Sequence, residues 1–173
     1  MDPKLQALVD RQEILDVLNQ YSHGCDRGDE ARMADIYHVE SRDNHGAYNG
    51  DGRAFAKQVC SPESTSSRET MSHLLGQSQI SVDGDSAGAE TYFNATIKRC
   101  NEDGVRYIDM MGGRYIDKLE RRDGRWRVLD RLCTCEWSFT MRVDEDIEWH
   151  RPGVFYQGTT DKSDRSYEVL GLS

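Results

Sequence analysis

No stretch of this sequence approaches the twenty or so consecutive apolar residues that a bilayer-spanning helix needs. The opening residues, Met1-Asp2-Pro3-Lys4, lack the basic-then-apolar order of an export signal. Basic side chains are in deficit: 22 Lys and Arg against 31 Asp and Glu leave a formal charge of -9, which repels phosphate backbones and anionic headgroups. Nucleic acid and membrane are therefore poor partners, and a cytoplasmic protein is expected. The cysteines lack the pattern of staples or metal ligands. Cys25, Cys60, Cys100, Cys133 and Cys135 are an odd number, and Cys133-Thr134-Cys135 has one residue between its thiols where redox and zinc pairs have two. With no second cysteine pair and no clustered histidines, reduced structural thiols are expected and no metal site.

At 173 residues the chain suits one domain, residues 1–173, burying about two-thirds of its unfolded surface. Leu5, Leu8, Val9, Leu15, Leu18 and Ser22 recur at helical spacing, so a long helix is expected from about Lys4 to Cys25, weakened by Gly24 and stopped by Gly28. Asp29 can cap a second helix over 30–37. Residues 38–52 read as a polar, turn-rich loop with a short extended piece, and a third helix is expected between Asp51 and Pro62. After Thr70 the character changes to β. Runs over 71–82, 89–100, 105–119 and 125–143 are separated by Asp83-Gly84-Asp85, Asn101-Glu102-Asp103-Gly104 and Arg122-Asp123-Gly124. The arginines around Asp123-Gly124 read as a solvated hairpin tip. Helices followed by an antiparallel meander predict an α+β fold, helices gathered on one face of a curved sheet. The tail from about 150, with Pro152, Gly153 and Gly158, reads as irregular and fit to cover a neighbouring surface.

Eleven residues from Leu15 to Asp26 make about three helical turns, so Asp26 falls on the inward face. A carboxylate there needs a partner, because burial forfeits several kcal/mol of hydration. Residues two apart on a strand share a face, which sets His73 with Met71 and Leu75, and Arg131 with Leu129, Cys133, Cys135 and Trp137. If the sheet curls over the first helix, Asp26, His73 and Arg131 meet in one cavity with Tyr21 a turn before Asp26. Such a carboxylate fixes the tautomer of His73 and leaves its other nitrogen as a general base. Arg131 and Tyr21 then supply positive charge and a hydroxyl for a departing anion. Taken singly, His73 could be a satisfied core residue, Asp26 a helix-end residue, and Arg131 a partner of Asp109 or Glu136. His45 reads as a turn or lid residue rather than a catalyst, and His23 and His38 as surface or helix-end residues.

The order Tyr21, Asp26, Met33, Tyr37, the Asp43-Asn44-His45-Gly46 loop with Tyr48 and Gly50, His73, and Trp126 to Arg131 resembles the SnoaL-like group of the nuclear transport factor 2-like superfamily. The similarity covers roughly residues 5 to 140, and lies towards the bile acid 7-alpha-dehydratase and lindane dehydrochlorinase branches, with the scytalone dehydratases further off. It implies a cone-shaped α+β barrel, N-terminal helices packed in the concave face of a mostly antiparallel sheet. It also implies an Asp-His dyad, elimination without cofactor, and often a homotrimer. Carried over by position, Asp26 and His73 match the dyad, Arg131 the arginine near the leaving group, and Tyr21 the residue five before the aspartate. A tyrosine there favours loss of hydroxyl over loss of chloride. A second pocket histidine on a later strand, as in scytalone dehydratases, is missing between His73 and His150.

The favoured expectation is a cofactor-independent dehydratase-like lyase on a hydrophobic cyclic molecule, a steroid or another polycyclic or alicyclic compound. Its pocket is expected to be lined by Met71, Leu75, Met111, Trp137 and Phe139, with Leu18 and Ile36 from the helices and Tyr48 as a substrate contact. The rivals are an isomerase or cyclase using the same base, a non-catalytic ligand-binding module, and a subunit like the β-subunit of ring-hydroxylating dioxygenases.

Overall fold

Asp2 accepts the backbone N–H of Lys4 and Pro3 fills the first turn, so the chain enters α1 (Pro3–Asp26) through a side-chain cap. The computed structural model describes residues 2–144 and 153–172. Ile14, Leu18, Tyr21, Ser22 and Cys25 form the buried stripe of α1. Leu5 and Leu8, expected on that stripe, are exposed, because the packed part of the helix begins only at Asp10. Gly28 turns the chain at φ +59°, a left-handed value that suits glycine, and Asp29 accepts the N–H of Arg32 at 3.1 Å to start α2 (Glu30–Asp35).

Residues 38–52 are not the loop that their polarity suggests. They form most of β1 (Tyr37–His45) and β2 (Tyr48–Asp51), and α2 accordingly ends at Asp35 rather than at Tyr37. The alternation was hidden because two of the inward residues of β1 are Ser41 and Asp43, both polar and both buried. Asp51 caps α3 (Gly52–Val59), and a further turn, α4 (Pro62–Thr65), leads to the long strands β3 (Arg68–Asp83), β4 (Ser86–Cys100), β5 (Arg106–Arg122) and β6 (Arg125–Val143). These four make the expected antiparallel meander. At its last turn Asp123 and Gly124 both have positive φ, the type I′ requirement. The tip arginines are matched to carboxylates, Arg121 to Asp85 and Asp10, Arg122 to Glu40 and Glu120, Arg125 and Arg127 to Asp35.

The sheet order is β2-β1-β6-β5-β4-β3, with β1 parallel to β6 and every other pair antiparallel. It curves around the helices without closing, an open α+β cone. Ile14, Leu18, Met33, Ile36, Tyr37, Leu119, Trp126 and Val128 fill the concave core. Burial of each such side chain contributes roughly 1.5–3 kcal/mol.

Bulges redirect side chains at several points, two of them beside the cavity strands' midpoints. Leu75 pairs with Phe93 but Ser78 with Thr91, and Gly112 pairs with Trp137 but Gly113 with Cys135. Only glycine fits the second bulge: a Cβ on Gly113 would lie 1.9 Å from the Thr134 carbonyl oxygen, and one on Gly112 would meet the Trp137 ring at 2.3 Å.

The described part of the tail is more regular than expected. It carries α5 (Arg165–Leu170), whose Tyr167 is buried and donates to Asp29 Oδ2 at 2.8 Å. Pro152, which the same expectation covers, lies outside the described residues. His23 is a helix-end residue, in the last turn of α1, whereas His38 lies buried in β1. His23 meets Ser166 Oγ at 3.2 Å, and buried His38 donates to the Glu120 carbonyl at 3.0 Å. Among the described residues no helix is long and apolar enough to cross a membrane.

Candidate active site

The end of α1 and the start of β3 meet at one carboxylate. Asp26 Oδ1 lies 2.6 Å from His73 Nδ1, and Oδ2 accepts the backbone N–H of His73 at 2.9 Å. Both side chains are largely buried, 12% exposed for Asp26 and 5% for His73. The carboxylate keeps the imidazole proton on Nδ1, and the second bond ties the ring to the strand that carries it. Nε2 makes no hydrogen bond within the described residues, and His73 lines the cavity.

A second imidazole faces the same space. His45, at the end of β1, presents Nδ1 to Asp43 Oδ1 in a very short contact, and Asp43 Oδ2 accepts the Tyr37 hydroxyl at 2.5 Å. Asp43 is fully buried, so its charge is balanced by these two donors rather than by water. The other nitrogen, Nε2, lies 3.3 Å from the Tyr21 hydroxyl, and the ring stacks on Phe55 with centroids 4.3 Å apart. His45 is thus a wall of the cavity and not the turn or lid residue expected. The signal for it was present as Asp43-x-His45, two residues that share one strand face, but it required recognising a polar strand.

Tyr21 stands between the two rings, 6.2 Å from His73 and 6.4 Å from His45 by centroid. Burial, reinforced by neighbouring Tyr115 and Tyr37, pushes its hydroxyl well above the ordinary tyrosine value, so it remains an O–H donor. Beneath it lies Arg131, fully buried, with its guanidinium 4.2 Å from the Tyr21 ring and 4.5 Å from the Tyr115 ring. Arg131 does not pair with Asp109 or Glu136, which serve Arg99 and Arg114. Its Nε and Nη2 grip Asp117 at 2.7 and 2.8 Å. Burial alone would favour a neutral guanidine, but the Asp117 carboxylate outweighs it and holds the charge in place. The arginine expected beside a leaving group therefore stands behind the tyrosines, outside the cavity wall.

The cavity, about 140 Å³, is walled by Tyr21, His45, Phe55, His73, Phe93 and Tyr115 on its ring-bearing side. Met71 and Met111 line it as expected, with Arg68, Cys25 and Cys133. Burial pushes the Cys133 thiol up to about 12, and raises that of Cys25 further, so neither is a ready nucleophile. Trp137 and Phe139 are not in the wall. The bulge at Glu136 sets Trp137 opposite Gly112, on the outer face of the sheet, where Trp137, Phe139 and Met141 stand half exposed. Leu75 keeps its register with Phe93 and packs against the core, but it borders a separate depression with Trp137 rather than this cavity. Leu18 and Ile36 lie in the core below the cavity. Tyr48 packs behind Phe55 at 5.0 Å and donates to the Asp51 carbonyl at 2.7 Å, which takes its hydroxyl out of substrate reach. Among the described residues no three His, Cys, Asp or Glu side chains converge as metal ligands.

An open α+β cone with a ring-walled, apolar cavity defines a small-molecule-binding class of the nuclear transport factor 2-like fold. Residues 6–131 match the SnoaL-like domain, and the chain belongs to that family. Solved structures share the fold. A scytalone dehydratase-like protein of Novosphingobium aromaticivorans DSM 12444 superposes with a TM-score of 0.67 at 18% identity, over 81% of this chain and 91% of that one. A hexachlorocyclohexane dehydrochlorinase, LinA type 2, gives a TM-score of 0.71 at 18% identity, over 87% and 99%. The LinA-type3 dehydrochlorinase of Novosphingobium barchaimii LL02 gives 0.69 at 18%, over 80% and 94%. No curated protein matches the chain in sequence.

Proposed function

We propose that the protein is a cofactor-independent carbon–oxygen lyase that removes water from a small alicyclic molecule. The observation that carries this reading is the pairing of two carboxylate-backed imidazoles across one apolar cavity, with a protonated tyrosine between them. His73 Nε2 takes a proton from a carbon next to a carbonyl or allylic centre, the C–H electrons form the double bond, and the C–O bond breaks. The departing oxygen receives its proton from Tyr21, which His45 in turn reprotonates. Asp26 and Asp43 stabilise the two imidazolium states, and the apolar walls keep those charge interactions undamped by water. Arg131 acts through the Tyr21 ring. A dedicated acid matters for hydroxide, a poor leaving group, and little for chloride, so the second imidazole favours dehydration over dehydrochlorination.

A cavity of about 140 Å³ lies below the range of about 300–1,000 Å³ typical of drug-sized ligand sites. Of the steroid, polycyclic and alicyclic molecules that the sequence left open, a single ring suits it best. The half-exposed Trp137, Phe139 and Met141, with Tyr92, Ile116 and Leu132, leave an apolar outer sheet face that supports assembly of copies in the cytoplasm, a homotrimer by the family resemblance. The test is a set of cyclic β-hydroxyketones incubated with the protein and followed for enone absorbance. Enone formation that is lost in His73→Ala supports the reading. A product of unchanged mass identifies an isomerase instead, and no turnover of any member argues for a binding role.

A further inference from the structure

Arg68 opens β3 and stands in the cavity wall beside Val59 and Met71. Five residues separate it from His73, which in a regular strand would put the two on opposite faces. A bulge between Arg68 and Thr70 restores the match: Arg68 pairs with Arg99, Met71 with Ile97 and His73 with Ala95, three alternate positions of β4 that share one face. Arg68 is thereby the one arginine or lysine in a wall that is otherwise apolar, sulfur-bearing, aromatic or imidazole.

Among the described residues its charge has no anion. Nη2 donates to the Val59 carbonyl at 3.1 Å, Nη1 touches only the Met71 sulfur at 3.4 Å, and Nε donates to nothing among the described residues. A thioether is a weak acceptor. Arg99, Arg114, Arg121, Arg122, Arg125, Arg127 and Arg131 have carboxylate partners, whereas Arg11, Arg42 and Arg53, like Arg68, bond only neutral acceptors among the described residues; what sets Arg68 apart from these is its place in the cavity wall. A partly buried guanidinium facing an apolar space is costly until an anion joins it, and a planar carboxylate matches its donors in pairs. We infer that Arg68 binds a carboxylate carried by the substrate, so that the ligand of this cavity is a small alicyclic carboxylic acid. The inference deepens the lyase reading by naming the substrate class, and rests on it only for the ligand being a substrate.

The test reads binding without turnover. Cyclohexanecarboxylate and its neutral isostere cyclohexanecarboxamide are titrated into the wild-type protein and into Arg68→Gln and Arg68→Lys, by calorimetry. The expected result is a preference for the carboxylate of about tenfold or more in the wild type, weakened by added salt, since charge-assisted hydrogen bonds are the stronger kind. Arg68→Gln brings the ratio to about one with carboxamide affinity unchanged, while Arg68→Lys keeps part of the preference. Equal affinities in the wild type, a preference that survives in Arg68→Gln, loss of both ligands together in Arg68→Gln, or no saturable binding of either compound overturns the inference. His73→Gln leaves the ratio intact. A preserved ratio without any elimination from cyclic hydroxyketones, with or without a ring carboxylate, defeats the lyase reading alone; elimination with a ratio of one defeats this inference alone.

Discussion

Two carboxylate–imidazole pairs share the cavity, and the chain assembles them by different routes. Asp26 and His73 are 47 residues apart, joined only when the end of α1 docks on β3, whereas Asp43 and His45 are two residues apart and the pleat of one strand aims both inward. Their surroundings differ as well. Asp26 keeps some solvent contact and spends its second oxygen on a backbone N–H; Asp43 is sealed and spends its second oxygen on the Tyr37 hydroxyl. The free nitrogen differs correspondingly: that of His73 faces open cavity, that of His45 faces Tyr21. An imidazole open to substrate is suited to take a proton from carbon, and one behind a hydroxyl is suited to resupply a proton. Identical side-chain pairs are suited to different chemistry by what stands beyond the second nitrogen.

The largest effect is expected at the long-range pair. His73→Ala or Asp26→Asn should lower turnover by about 10³–10⁴-fold, the upper range for a lost general base, with circular dichroism unchanged. Equal activity of either variant and wild type would break the assignment of the base. Next comes the buried ion pair behind Tyr21. Asp117→Asn strands the buried Arg131 charge and should cost about 3–5 kcal/mol in denaturant unfolding, with Asp117→Asn/Arg131→Met recovering part of the loss. A milder result is expected at the local pair: His45→Gln or Tyr21→Phe should slow dehydration about 10²-fold, and much less when the hydroxyl is replaced by acetate, which leaves without an acid. A uniform loss across leaving groups would remove the distinction between the pairs.

The smallest effect serves as a control away from both. Tyr167→Phe should cost about 1–2 kcal/mol near neutral pH by removing the hydroxyl from Asp29. Burial acts to raise the Asp29 carboxyl, but the Arg32 amide and the Tyr167 hydroxyl outweigh it and hold the carboxyl below its ordinary range. Asp164, the cap of α5, is depressed by the Ser166 hydroxyl and the backbone N–H of Thr159. A depressed folded-state value adds stability above the unfolded value of about 3.9 and loses it as pH falls through the folded value. Docking of 153–172 should therefore weaken only below about pH 4, visible as loss of amide protection there, and the Tyr167→Phe penalty should fade in the same window.

Much of this was legible in the chain. The turn count from Leu15 to Asp26, the β-like run holding His73, and the turn dipeptides between strands are local signals that tertiary context did not override. The wall of the cavity was less legible, because each bulge inserts one residue and reverses the face of everything beyond it. Trp137 and Phe139 went to the outer face for that reason, and Arg68 came to the inner one. Gly112-Gly113 in mid-strand was the available hint, since adjacent glycines in a strand mark a bulge or a close approach. Strand β1 escaped notice because Asp43 and His45 occupy places where an apolar alternation would have announced it.

Local spacing and turn chemistry were enough to determine the order of elements, the α+β class and the inward position of Asp26, since helical and strand periods are properties of the backbone itself. Only the tertiary structure decided that His45, backed by Asp43, joins the cavity, that Arg131 belongs to Asp117, and that Arg68 faces inward without an anion among the described residues. Partners of buried charge are chosen by which strands lie side by side and in what register, and neither is encoded in the spacing of residues along one strand.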